Sequence, residues 1–116
     1  MKVEFEKKMR MGSDLLAYCH TRGAKHFTLD INIDVANRQS VILCKANPVT
    51  VSQDELARAR KLLSAPRSWE IESKYWGLSG ESESYSELML VGMMSDEAKV
   101  EFEGDTLSIT LVRKVG

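Results

Sequence analysis

The chain is poor in the residues that announce a specialised protein. It has two cysteines in 116 residues, Cys19 and Cys44, with no CxxC pair. Nothing here suggests a disulfide-stapled secreted scaffold, and two reduced thiols in a cytoplasmic protein are the plain reading. No apolar stretch approaches the roughly 20 residues that span a bilayer. The opening "MKVEFEKKMRM" lacks an apolar core, so a secretory signal is not expected. Charge of one sign is also missing: 16 Lys and Arg against 17 Asp and Glu leave a formal −1. Neither nucleic acid nor an anionic membrane is therefore an expected partner. Repeats, linkers and low-complexity tracts are absent too, so residues 1–116 are read as one domain. What remains, 43 % hydrophobic and 28 % charged, is an ordinary globular composition.

Periodicity supplies the elements. Met11, Leu15, Tyr18 and Cys19 recur at three- and four-residue spacing, which predicts a helix over 7–22, with Gly23 placed to cap it. "HFTLDINID" alternates Phe27, Leu29, Ile31 and Ile33 with polar residues, as a strand with one wet face does. "VANRQ" is a turn, and the unbroken run "SVILC" predicts a strand that is central or covered on both faces. Ser52 and Glu55 make a capping-box spacing at the head of "SQDELARARKLL". Leu56, Ala59 and Leu63 give that helix an inner face and Pro66 stops it. Ile71, Tyr75 and Leu78 suggest a short helical stripe, and 79–84 a polar loop. "ELMLVGMM" reads as a short buried helix, or a strand. "AKVEFEGDTLSITLV" is a hairpin turning at Gly104–Asp105. This order predicts an α+β, two-layer sandwich: a mixed, mostly antiparallel sheet with helices on one face.

The same order resembles the Bergerat fold, the ATP-binding domain of gyrase, histidine kinases and the anti-sigma-factor serine kinases. "SELMLVGMMSDEAKVEFEGDTLSITLVRK" is similar to the end of the anti-sigma kinases, and "RGAKHFTLDI" to their first helix–strand junction. The likeness spans roughly 8–113. It implies an ATP site, which the residues at the matching positions do not furnish. Asp14 stands for the carboxylate base, but Tyr18 replaces the asparagine that helps hold magnesium, and a phenol is a poor ligand for a hard cation. Ala46 replaces the aspartate that bonds adenine. Pro48 and Thr50 replace glycines, and so do Glu87 and Met89 in the last motif. A carboxylate there repels a triphosphate.

Other chemistry finds less footing. Cys19, His20, His26 and Cys44 lack paired zinc-ligand spacing and are read as two core thiols and two edge histidines. The serines of 79–86 have no nucleophile-elbow frame. Asp14 is expected to serve the dipole near a helix start rather than catalysis. Neither cofactor nor metal is expected. The resemblance therefore implies a non-catalytic regulatory module, of the kind found in bacterial circuits, that binds a protein partner or a second copy. Trp69, Tyr75 and Trp76 lie where the family has its ATP lid and are the candidate contact residues. Two alternatives stay open: an atypical ATP-binding protein or serine kinase with Asp14 as base, and a small-molecule binder using the emptied pocket.

Overall fold

A computed structural model describes residues 2–75 and 87–114. In order they form α1 (Lys2–His20), β1 (His26–Asp34), β2 (Gln39–Asn47), α2 (Gln53–Leu63), α3 (Trp69–Tyr75), α4 (Glu87–Met93), β3 (Glu97–Glu103) and β4 (Thr106–Lys114). The architecture is α+β. The strands make one sheet in the order β1-β2-β4-β3, and every pairing is antiparallel. The expected mixed sheet thus contains no parallel pair among the described residues.

Register explains which side chains face the helices. Leu29, Cys44, Ile109 and Val100 lie across from one another in one row, and Ile31, Ile42, Leu111 and Ala98 in the next. Directly opposed residues share a face, and this face meets Met11, Leu15 and Cys19 of α1, Leu56, Ala59 and Leu63 of α2, and Val91 of α4. The other face is lined by Thr28, Asp30, Lys45, Ser108, Lys99 and Glu101 and carries no helix among the described residues. β2 is accordingly central in position but covered on one side, with Val41 and Leu43 half-buried outside.

Local chemistry sets the element ends. Around Gly23 (φ +96°) the amide of Ala24 donates to Cys19 O at 3.2 Å and that of Gly23 to His20 O at 3.1 Å. This is a Schellman cap, for which a left-handed residue is required. In α2 the Ser52 hydroxyl accepts from the Glu55 amide while the Glu55 carboxylate accepts from the Ser52 amide, a complete capping box. The 35–38 turn is held by Asp34, whose carboxylate accepts from the Asn37 amide (3.1 Å) and side chain (2.7 Å). Gly92 permits the closest crossing: a Cβ there would lie 2.7 Å from Leu62 O and 2.8 Å from Leu63 O. The helix carrying it sits directly on the carbonyl end of α2.

Three expectations need correction. α1 begins five residues earlier than the predicted 7–22 helix, because its first two turns are held by charge rather than by an apolar stripe. Glu4 pairs there with Lys8 and Arg113. Asp14 consequently sits in the second half of α1, away from the positive end of the dipole, and its nearest charge is Arg10 at 3.5 Å. Third, Phe27 and Ile33 are 38 % and 50 % exposed although they face the helix side. β1 is an edge strand, and α1 crosses it over Leu29 through Gly12 without covering its ends.

Candidate functional site

Three helices leave a cleft of about 300 Å³ between them. Tyr18 comes from the last turn of α1 and Arg22 from the turn after it, Glu55, Arg58 and Leu62 from α2, and Glu87 from the start of α4. Ala59 and Leu88 complete an apolar floor. On α2, residues 55, 58, 59 and 62 recur at helical spacing and form a stripe beside the buried one at 56, 59 and 63. One helix thus shows one flank to the core and the next to the cleft.

Arg22 closes one end. Its guanidinium carbon lies 3.7 Å from the centre of the Tyr18 ring, and one terminal nitrogen donates to Thr21 Oγ1 at 2.8 Å. Its Nε is 3.5 Å from Glu55 Oε2 and makes no hydrogen bond. The pair largely neutralises itself. Burial raises the Tyr18 phenol above its ordinary range, with Arg22 opposing, so Tyr18 presents a neutral hydroxyl. Two charges remain. Arg58 and Glu87 are exposed at the mouth, and neither forms a hydrogen bond or ion pair among the described residues.

Asp14 stands one turn before Tyr18. Burial pushes its carboxyl up to about 6, Arg10 pulls it down, and Glu87 pushes it up again. One of its oxygens is buried without a hydrogen bond. An adjoining hollow of about 600 Å³ shares Arg58 and Leu62 with the cleft and adds Ala65, Pro66 and Met89.

The structure therefore gathers part of the family-matched set. Tyr18 and Glu87 line the cleft, Asp14 lies within electrostatic reach of Glu87, and Met89 lines the hollow beside it. The other three stand apart. Ala46 is fully buried under the helices, and the exposed Pro48 and Thr50 belong to the loop after β2. That loop is tied down on both sides: the Thr50 amide donates to Arg22 O at 3.0 Å and the Val49 amide to Asp105 O at 2.9 Å. Cys19 and Cys44 meet in the core as free thiols, and their mutual hydrogen bond, with burial, drives the Cys44 thiol upward. His20 and His26 are exposed, and no group of three or more metal-ligating side chains occurs among the described residues. No helix among them is long and apolar enough to cross a membrane.

Of the aromatic trio, Trp69 opens α3 and is 65 % exposed. The Tyr75 side chain and Trp76 lie outside the described residues. Beneath Trp69, 4.0 Å from the ring centre, is the guanidinium of Arg67. Arg67 is fixed in turn: it donates to Asp96 Oδ2 and Lys114 O, each at 2.7 Å, and to Glu72 Oε2 at 3.2 Å. Sequence reasoning did not find Arg22, Arg58 or Arg67. The signal for Arg58 was its place in the second α2 stripe; the other two are revealed only by packing.

Comparison of the chain with protein-family models, with curated proteins and with solved structures yields no match.

Proposed function

We propose that this protein is a non-catalytic, Bergerat-like module that acts by binding another protein and needs no nucleotide. The observation that carries the reading is Trp69 on Arg67. A large aromatic ring left in water is unfavourable unless something covers it. Here the ring rests on a guanidinium locked by three acceptors, so little freedom remains to be lost on contact. Tryptophan and arginine held in that way are typical centres of binding energy.

The cleft speaks against the kinase alternative. Magnesium would meet a neutral phenol at Tyr18, and a triphosphate would meet Glu87 beside Asp14. A base at Asp14 would have to act from beside Arg10, with no hydroxyl among the described residues hydrogen-bonded to it.

The test places a photo-crosslinking amino acid at position 69 and, as a control, at position 101 on the open sheet face. The expected result is an adduct from position 69 alone, with the purified partner then binding Trp69→Ala at least about 30-fold more weakly. Adducts from both positions or from neither, or a saturable rise in melting temperature with Mg-ATP, would overturn the proposal. Sedimentation of the free chain separates a second copy from a different protein.

A further inference from the structure

We propose that the cleft between α1, α2 and α4 binds a small zwitterion, one carboxylate and one ammonium on an apolar body, with Arg58 taking the carboxylate and Glu87 the ammonium. This does not rest on the protein-binding reading. Trp69 belongs to α3, and no described side chain of α3 lines the cleft, so either idea can fail alone.

Charge balance over an apolar floor favours a ligand of both signs. Among the described residues, four charged side chains line the cleft, and two of them, Arg22 and Glu55, are already opposed at 3.5 Å. The two left over have opposite signs and come from different helices, Arg58 from α2 and Glu87 from α4. Ala59, Leu62 and Leu88 form the apolar surface of the cleft. A ligand with only a carboxylate would satisfy Arg58 but meet Glu87, with Asp14 close behind it. A ligand with only an ammonium would meet Arg58. A molecule bearing both answers both, and charge-assisted hydrogen bonds of this kind are the strong ones.

The size of the site sets the body. A cavity of about 300 Å³ is at the small end of ligand pockets. The neighbouring hollow opens from it past Leu62 toward Pro66 and Met89, giving room for a branched apolar side chain. Amino acids with large apolar side chains, and their dipeptides, have this chemistry. An ammonium beside Glu87 would also relieve the repulsion that Asp14 feels there, so binding should lower the Asp14 titration midpoint.

The experiment is a titration of the full ¹⁵N-labelled chain, followed by amide shifts, with four probes. These are leucine, leucyl-leucine, 4-methylpentanoate (leucine without its amine) and isopentylamine (leucine without its carboxylate), each up to about 10 mM. Saturable shifts at residues 55–62 and 87–91 are expected with leucine or the dipeptide, and whichever binds tighter reports the spacing between the two charges. Both singly charged probes should bind at least tenfold more weakly. Arg58→Gln and Glu87→Gln should each weaken zwitterion binding at least tenfold with an unchanged melting temperature, and Arg58→Lys should retain most of it. No saturable shift with either zwitterion, equal binding of a singly charged probe, or binding that survives both Gln substitutions would overturn the proposal.

Discussion

Glu4 and Arg113 are 109 positions apart in the chain and meet in a two-point ion pair, Nε to Oε2 at 2.7 Å and Nη2 to Oε1 at 2.9 Å. Arg113 is 1 % exposed, and its remaining donors reach Glu72 Oε1 and, at 2.7 Å, the carbonyl of Met94. One guanidinium thus joins the first helix, α3, the end of α4 and the last strand.

Removing it should be severe. Arg113→Met leaves Glu4 and Glu72 without their main partner in a largely dry site, and breaking such an arrangement costs about 3–5 kcal/mol. Urea midpoints will show the loss.

Acid should undo the same junction. Burial alone would raise the Glu4 carboxyl, but Arg113 and Lys8 hold it down at about 2, and Arg113 and Lys7 likewise hold Glu72 below its ordinary value. Folded values below the unfolded ones mean stability that is present above about pH 4.5 and is lost as pH falls toward 2. Denaturation curves between pH 6 and 2.5 should fall steeply for the natural chain and less so for Glu4→Gln, which starts lower.

Asp14 has the opposite sign. Its folded value of about 6 lies above the ordinary 3.8, so ionisation opposes folding. The penalty is absent below pH 3.8 and complete above about 6. Asp14→Asn should therefore stabilise the protein at pH 7 by about 1–2 kcal/mol, part of the gain being offset by loss of Arg10, and should change little at pH 3.5. Thermal melts at the two pH values check both halves.

How much of this was legible beforehand depended on the kind of force involved. Apolar periodicity marked α2, the hairpin and the inner rows of β2 and β4, because Leu56, Ile42, Ile109 and Leu111 are buried for the reason that they are apolar. The first two turns of α1 were missed because Glu4 and Lys8 are ordered by a residue at the far end of the chain. Alternation marked Phe27 and Ile33 as inward, and they do face inward. It could not tell that β1 is the edge and that the helix above it is too narrow to cover them. In the cleft, Tyr18 and Glu87 were found by resemblance, whereas Arg58 was hidden among the polar residues of α2.

Gly92 should tolerate nothing larger. Gly92→Ala would press a methyl group against two backbone carbonyls, which cannot rotate away as side chains do. Overpacking of this kind costs about 1–3 kcal/mol. A lowered urea midpoint with an unchanged slope is the expected outcome.

Trp69→Ala, by contrast, should leave folding within about 0.5 kcal/mol, as surface substitutions do, while Leu111→Ala in the core should cost about 2–5 kcal/mol. Parallel denaturation of the two variants measures the difference.

The open edge of β1 has a consequence for how solutions of this protein behave. Nine residues of extended backbone, with Phe27 and Ile33 partly uncovered, make a template onto which other chains can stack. Asp30 and Asp34 stand on that strand as gatekeepers, and the Asn37 bonds keep Asp34 ionised at lower pH than an ordinary aspartate. With a sequence isoelectric point near 6.1, net charge gives little colloidal protection in mildly acidic buffer. The guard against fibre-like growth is then local: two carboxylates on one strand, whose replacement by asparagine should show as rising turbidity well before any change in the fold.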